Sequence, residues 1–253
     1  MKPYADHFSA LAPAYASCRP RYPDELFAYL AALSHRHEVA WDCAAGSGQA
    51  SIPLAQTFRR VVATDASAAM LDQAPRHPRV DYRVAPAEAS GLDTRSVDLV
   101  TVAQALHWLE IDGFYAEAAR VLVPGGVLAV WTYGNQLLDH EAMDLVLHRF
   151  YRDVVGPYWP PERRHVESGY RTLPFPFPEL ESPAFLMQER WTLPELLGYI
   201  RTWSATQRLC EATGRDPVDE LMREMAPLWG DPALVRHVRW PLSLRIGRRP
   251  GGG

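Results

Sequence analysis

The chain has 253 residues, 47% of them hydrophobic, so it can bury the core of one large domain. Its formal net charge of -4 excludes a broadly basic surface and argues against nucleic acid as the main partner. No apolar run has the length of a membrane span, and the first ten residues lack the apolar core of a signal peptide.

The three cysteines are far apart and form no CxxC pair. This spacing predicts neither a disulfide framework nor a metal site. Because free cysteines suit a reducing compartment, we expect a cytoplasmic protein without a membrane partner.

The predicted elements begin with a helix over residues 23–34, in which Leu26, Leu30 and Leu33 share one face. Five short apolar runs follow, with helical or turn segments between them: VAWDCA (39–44), RVVATD (60–65), VDYRVAPA (80–87), VDLVTVAQA (97–105) and GVLAVWTY (126–133). One of the intervening segments, Ile111 to Leu122, has a clear helical pattern. Strands that alternate with helices at this spacing predict right-handed βαβ units and a parallel sheet.

The alternation stops after Tyr133. Residues 134–155 have a helical pattern, and residues 156–183 carry seven prolines and five aromatic residues. Proline at this density prevents a regular helix or a central strand, so we predict an irregular, aromatic-rich cap. The alternative is a surface connection that packs its own aromatic side chains.

The last part of the chain returns to regular patterns. A strand-like run starts at Met187, and Thr192 with Glu195 forms a capping-box pattern for the helix that follows. A further helix is predicted to start at Asp216 and Pro217, and residues 238–249 (VRWPLSLRIGRR) predict a last strand.

The most informative segment is WDCAAGSGQAS, residues 41–51. A strand ends there at Asp42, small residues follow, and a helix is predicted from Gly48 to Phe58, so backbone N–H groups can approach a ligand closely. The next strand ends at Asp65, where a carboxylate can accept hydrogen bonds from both hydroxyls of a ribose. Either acid alone is typical of a solvated strand end, but the turn and the acid together predict a nucleoside site.

The kind of nucleoside follows from what surrounds the turn. Gly46, Gly48 and Ser51 come near the G-x-G-x-x-G pattern of dinucleotide sites, but the third glycine is missing. Asp42 precedes the turn, where a carboxylate would repel a pyrophosphate and suit a cation such as a sulfonium with an α-amino group. An NAD(P)-dependent oxidoreductase and a non-catalytic protein that has kept the nucleoside site remain the alternatives.

The sequence resembles the class I S-adenosylmethionine-dependent methyltransferases. Their first motif, acid-x-G-x-G-x-G, is matched by Asp42, Ala44, Gly46 and Gly48, with alanine in place of the first glycine. Further similarities follow in order at Asp65, Ala87-Glu88, 97–100 (VDLV) and 122–126 (LVPGG). The strings YASCRPRYP, AQALHW (103–108) and LGYIRTWSA (197–205) are similar to the type 11 small-molecule branch, which includes trans-aconitate methyltransferase-like enzymes.

The resemblance implies a Rossmann-like three-layer α/β sandwich, with a mostly parallel seven-stranded sheet, helices on both faces and a helical or irregular cap. It implies one domain over 1–253 with five parts. These are a helical segment over the cofactor (1–35), a cofactor-binding core (36–133), a cap (134–186), final strands and helices (187–249) and a disordered tail (250–253). The implied cofactor is S-adenosylmethionine, and the implied contacts are Asp42, Ala44, Gly46, Gly48, Asp65, Ala66, Met70, Ala87, Glu88, Gln104, Ala105, Arg19 and Tyr15.

The acceptor side is less defined. His107 follows the fourth strand, and an imidazole there can act as a general base, although a histidine that only packs or bonds to backbone is the more common case. Candidates for the acceptor pocket are Arg21, Tyr22, Trp108, Trp131, Tyr133 and Trp203. We expect a small-molecule acceptor, with a carboxylic acid as the class that arginines near the site would suit, and a monomer or homodimer.

Overall fold

The computed structural model describes residues 20–251. Their strands form one seven-stranded sheet in the order β3-β2-β1-β4-β5-β7-β6. The strands are β1 (Val39–Cys43), β2 (Arg60–Asp65), β3 (Val80–Val84), β4 (Val97–Ala103), β5 (Leu122–Tyr133), β6 (Leu186–Trp191) and β7 (Arg236–Arg248). The first five pair in parallel, whereas β7 pairs antiparallel with β5 and β6.

Helices connect the strands and cover both faces of the sheet. They are α1 (Asp24–Leu33), α2 (Ser51–Thr57), α3 (Ala68–Leu71), α4 (Ile111–Val121), α5 (Glu141–Arg149), α6 (Arg163–Glu167), α7 (Leu193–Arg201), α8 (Ser204–Thr213) and α9 (Val218–Trp229). One apolar core lies under α1, α2 and α7, and the other lies under α4 and part of the cap. The predicted Rossmann-like three-layer sandwich is therefore confirmed.

Burial on both faces explains why the central strands are continuous apolar runs. In β4 every residue from Val97 to Val102 is buried, and β1 is buried from Ala40 to Cys43. Trp41 and Trp131 belong to the two different cores. Parallel strands covered on both faces have this pattern because neither face meets water.

The last strand, β7, contains a proline in the middle of the sheet. Its residues 236–241 pair with β6, and residues 242–248 pair with β5, so Pro241 lies where one partner gives way to the other. A proline lacks the N–H that a strand with neighbours on both sides needs. The change of partner at Pro241 therefore accommodates a residue that a central strand normally excludes.

The structure differs from the sequence pattern in two boundaries. The helix after the glycine turn begins at Ser51 rather than Gly48, because residues 46–50 form turns. The 122–126 turn lies inside β5 as an irregularity, since Val97 pairs with Leu122 and Leu99 pairs with Val127.

The segment between β5 and β6, residues 134–185, packs in part against the sheet, and its role as a cap stays a prediction. It contains α5, a π-helical turn (Phe150–Val154), a 3₁₀ turn (Gly156–Tyr158) and α6, followed by irregular chain. Arg245 of β7 holds the irregular part by donating to the carbonyls of Tyr170 and Leu173 and by pairing with Glu179. In residues 20–251, no helix is long and apolar enough to cross a membrane.

Candidate functional site

The glycine turn and Asp65 lie side by side at the carboxyl edge of the sheet. The Gly46 N–H donates to Asp65 Oδ2 at 2.9 Å, and the Ser67 N–H donates to Asp65 Oδ1 at 2.8 Å. The Asp65 carboxylate thus joins the loop after β1 to the loop after β2. This edge lies beside the point where the strand order reverses between β1 and β4, which is where open α/β sheets bind ligands.

The turn is built from left-handed backbone conformations. Ala44, Gly46 and Gly48 have φ values of 55°, 55° and 76°. At position 44, where the family motif has glycine, alanine keeps the conformation that favours glycine, at a cost in strain. A Cβ at Gly48 would approach the Tyr82 hydroxyl to 2.5 Å, whereas at Gly46 the nearest atom would be Met70 Cε at 3.4 Å.

Asp42 is not a surface group at this site, which corrects the expectation that it faces the ligand directly. Its side chain is fully buried beneath the turn and accepts hydrogen bonds from Ser51 Oγ at 2.6 Å and Thr101 Oγ1 at 2.9 Å. Burial raises the pKa of this carboxyl from 3.8 to about 6. Asp42 therefore ties β1 to the start of α2 and to β4, and it places a partly ionised carboxyl under the turn.

Gln104, just after β4, holds the end of β5. Its Oε1 accepts from the Tyr133 N–H and the Thr132 hydroxyl, and its Nε2 donates to the Tyr133 carbonyl at 3.2 Å. Its φ is 56°, a strained value for a non-glycine residue and one that clusters at functional sites. Gln104 was predicted to contact the cofactor, but its side-chain amide is bonded to Tyr133 and Thr132. Gln104 nevertheless lines a cavity.

That cavity lies at the carboxyl ends of β4 and β5, under the cap. Its lining shares an aromatic and polar character and comprises Gln104, His107, Trp108, Tyr133, Gly134, Trp159, Pro160, Arg163, Tyr199, Trp203 and Ser204. Four of the residues predicted for this region therefore meet here with His107, namely Gln104, Trp108, Tyr133 and Trp203.

The environment of His107 disfavours a general base. Burial lowers its pKa to about 3, with the positive charge of Arg163 as a further cause. Its Nδ1 lies 3.0 Å from the Tyr170 hydroxyl. A base with so low a proton affinity removes protons poorly near neutral pH, so the proposed catalytic role is corrected to that of a neutral hydrogen-bonding wall residue.

Arg163 of α6 is one of the cavity residues that the sequence did not indicate, and the others are Gly134, Trp159, Pro160, Tyr199 and Ser204. Its guanidinium lies 4.4 Å from the centre of the Trp159 ring, and its Nε donates to the Tyr151 hydroxyl. It forms no ion pair with a carboxylate of residues 20–251. An arginine within a proline-rich cap has no distinguishing sequence signal, because its position beside His107 arises only when the cap folds back.

The remaining predicted residues divide between the turn, the core and the surface. Near Asp65, Ala66 is exposed, Met70 and Ala87 are buried, and Glu88 and Ala105 are half-buried. Tyr22 and Trp131 pack edge to face at 5.5 Å in the core, and Trp131 is fully buried.

Three of these placements correct the predicted acceptor pocket. Trp131 lies in the core because its strand is covered on both faces, and Arg21 is exposed and absent from the cavity lining. Tyr22 likewise packs on Trp131 rather than lining the cavity. Tyr15 and Arg19 lie outside the described residues.

Comparison with known proteins shows that the chain is similar in sequence to methyltransferases. A family model described as a methyltransferase domain matches residues 41–130, the stretch from β1 into β5. A Mycobacterium tuberculosis protein named a methyltransferase is 33% identical over 187 residues, which cover 73% of this chain and 70% of the relative. A Dictyostelium discoideum protein, also named a methyltransferase, is 28% identical over 253 residues, covering 97% and 96% of the two chains.

A solved structure extends the similarity to nearly the whole fold. A protein from Anaeromyxobacter dehalogenans, described as a type II methyltransferase, has a TM-score of 0.87 and 48% sequence identity. The alignment covers 92% of this chain and 99% of that one.

Proposed function

The chain belongs to the class I S-adenosylmethionine-dependent methyltransferases, and we propose that it transfers the methyl group to a small-molecule acceptor, giving S-adenosylhomocysteine. Membership of this family removes the NAD(P)-dependent oxidoreductase from consideration. The alternative of a protein that binds the donor without turnover would be supported only if labelled methyl groups failed to reach any acceptor from a metabolite extract.

The residues at the carboxyl edge fit a sulfonium nucleoside. Gly46 offers an open backbone approach, and Asp65 has carboxylate lone pairs beside it for the ribose. Asp42 adds negative charge beneath the turn, which suits a cation in a low-dielectric setting. Ala66, Ala87 and Glu88 are the candidates for the adenine contacts, and Gln104 with Ala105 for the methionine side.

The donor supplies an electrophilic methyl group, so the protein's task is to position the two reactants and exclude water. Gln104 holds Tyr133 by two hydrogen bonds, to its backbone N–H and its carbonyl, and accepts a third from the Thr132 hydroxyl. This clamp fixes the floor of the cavity in which an acceptor would be held.

The contact between the Gly46 N–H and Asp65 Oδ2 carries the proposal, and it leads to a direct test. We expect Asp65→Ala to weaken the binding of S-adenosylhomocysteine by at least about tenfold in titration calorimetry, because hydrogen bonds to a charged acceptor are lost. Asp65→Asn keeps one acceptor oxygen and should lose less. Asp72→Ala removes an exposed aspartate at the end of α3 and is the matched control. An unchanged affinity of Asp65→Ala for S-adenosylhomocysteine would contradict the assignment of this site.

For the acceptor we propose a carboxylic acid, held by Arg163. The cavity walls are aromatic and would also suit an ammonium ion, but the guanidinium already occupies the Trp159 face and repels a second cation. A carboxylate oxygen attacks the methyl carbon, the new O–CH₃ bond forms, and the electron pair of the broken C–S bond stays on sulfur. No proton is released, which agrees with a site whose histidine is a weak base.

Arg163→Gln tests this acceptor class. We expect it to reduce the kcat/KM for carboxylic acids in a methyl-transfer screen by about 10²-fold, because charge-assisted bidentate hydrogen bonds are lost. Binding of S-adenosylhomocysteine should stay unchanged. Arg164→Gln alters the exposed neighbour on α6 and is the control. Equal loss in both variants, or acceptors that are all amines, would contradict the assignment.

A further inference from the structure

A second cavity lies beyond β5, between the segment 135–139 and α5. Its volume is about 530 Å³. Apolar walls come from Leu137, Leu145, Leu147 and Trp203, and Leu137 and Leu145 are 45% and 64% exposed. The cavity is therefore large, and its exposed side is mostly apolar.

A buried glutamine in its lining has unused hydrogen-bonding groups. Gln136 is 4% exposed, and neither its Oε1 nor its Nε2 has a hydrogen-bond partner within residues 20–251. The adjacent Asn135 Oδ1 is also buried without a partner. Buried amides in native proteins are almost always paired, so an amide that lacks both donor and acceptor contacts at a cavity points to a ligand that supplies them.

This cavity is a neighbour of the one described above. Trp203 lines both, and Gly134 of the first cavity is followed directly by Asn135 of the second. An extended molecule held beside Arg163 would therefore reach Gln136 by passing this shared wall.

The charges around the second cavity define what it accepts. Asp139, Glu141 and Asp144 line it together with His140 and His148. Asp139 pairs with Arg239, Asp144 accepts from the Leu138 N–H, and the His140 Nδ1 accepts from the Met143 N–H. Glu141 and Asp144 remain as carboxylates without an ion pair among the described residues, so the lining repels an anion.

We propose that this cavity binds the non-reacting end of the acceptor, and that Gln136 recognises there a neutral group with both a donor and an acceptor, such as a carboxamide on an apolar body. The proposal rests on the proposed function for the identity of the molecule as the acceptor. The acceptor would then be an extended molecule, with its carboxylate beside Arg163 and its neutral polar end beside Gln136.

Benzamide is a suitable probe, because its ring fits the apolar walls and its amide can pair reciprocally with that of Gln136. Its binding is measured by ligand-observed NMR with S-adenosylhomocysteine at saturation, against acetophenone, which lacks the donor, and benzoate, which carries a negative charge. We expect benzamide to bind at least tenfold more tightly than either.

Gln136→Met removes the amide and keeps the length of the side chain. We expect it to weaken benzamide binding about tenfold while leaving S-adenosylhomocysteine binding unchanged. Since the amide that it removes is buried and unpaired, the variant should melt at no lower temperature than the wild type. Gln136→Glu, which replaces the amide NH₂ group with a second acceptor oxygen and so removes the donor, is a second variant that should also weaken benzamide binding. Gln56→Met changes an exposed glutamine of α2 and is the control.

The outcomes separate the two proposals. If S-adenosylhomocysteine binds but benzamide does not bind, binds no better than benzoate, or binds Gln136→Met equally well, the inference about this cavity is overturned while the proposed function stands. If wild-type protein fails to bind S-adenosylhomocysteine, the proposed function fails independently of the benzamide result.

Discussion

Single residues at this site have roles that depend on their depth in the fold. Asp42 lies one residue before the end of β1 and Asp65 ends β2, yet Asp42 is fully buried on two hydroxyl donors, whereas Asp65 is 9% exposed and accepts from two backbone N–H groups. The difference arises because β1 lies at the centre of the sheet, where α2 and β4 close over its end. Asp42 thus anchors the turn, and Asp65 remains next to the ligand side.

The raised pKa of Asp42 leads to a stability prediction. The folded state keeps the Asp42 proton up to a pH of about 6, whereas the unfolded state releases it near pH 3.8. The contribution of this proton to the free energy of unfolding is therefore fully present below pH 3.8 and is lost as the pH rises through 6. The loss is roughly 3 kcal/mol. Asp42→Asn should therefore abolish this part of the pH dependence.

The measurement is urea unfolding of both proteins at several pH values from 4 to 7.5, taken as the difference between wild type and variant. The difference cancels the other carboxylates, such as Glu117, whose pKa is lowered by its bonds to Arg120 and Ser90 despite an opposing effect of burial. A difference that does not change with pH would show that Asp42 is not the titrating group.

At the scale of elements, the turn between β1 and α2 depends on unusual backbone conformations. Three of its residues have left-handed backbone conformations, and two of them are glycines. No side chain fits at Gly48 without a shift of its neighbours, since a Cβ there would approach the Tyr82 hydroxyl to 2.5 Å and Ala74 Cβ to 3.1 Å. Ala44 is the exception, because it adopts the same conformation with a Cβ attached.

Ala44→Gly should stabilise the protein. The left-handed conformation costs alanine roughly 1–2 kcal/mol, and the greater freedom of an unfolded glycine offsets roughly 0.5–1 kcal/mol of this. We expect a net gain of about 0.5–1 kcal/mol in the free energy of unfolding, measured in urea. Ala45→Gly, at a neighbouring position without a positive φ, should instead lose stability, and equal effects of the two changes would contradict the assignment of strain to Ala44.

Across the whole molecule, the site exists because loops from distant parts of the chain meet at one sheet edge. The turn after β1, Asp65 after β2 and Gln104 after β4 lie at the carboxyl ends of parallel strands, and the cap brings Arg163 to the same edge. Ligand binding should therefore stabilise the fold as a unit.

S-adenosylhomocysteine at a hundred times its Kd should add about 2.7 kcal/mol to the stability, which for a chain of this size raises Tm by about 5–10 °C. NADH at the same concentration should leave Tm unchanged. Scanning fluorimetry checks both, with Asp65→Ala as a variant in which the S-adenosylhomocysteine shift is largely lost. A larger Tm shift with NADH than with S-adenosylhomocysteine would contradict the assignment of S-adenosylmethionine as the ligand of this site.

Patterns that depend on local chemistry could be predicted from the sequence. The alternation of strands and helices, the glycine turn, Asp65 and the capping box at Thr192 and Glu195 are visible because strand burial, tight turns and helix ends each require particular residues within a few positions. The resemblance to the methyltransferases, rather than these local rules, implied seven strands and helices on both faces, and the short helix α6 lies inside 156–183, where the prolines predicted no regular helix.

Relations between distant residues required the tertiary structure. The sequence could not show that Asp42 and Trp131 are sealed in the interior, that burial beside Arg163 keeps His107 neutral, or that Gln136 lines a cavity without a partner. Burial, proton affinity and cavity shape depend on which segments pack on a residue, and those segments lie tens of residues away in the chain. Local residue type therefore determined the fold class and the glycine turn, whereas the packing of residues 134–185 on the sheet decided which side chains line the cavity at the carboxyl ends of β4 and β5.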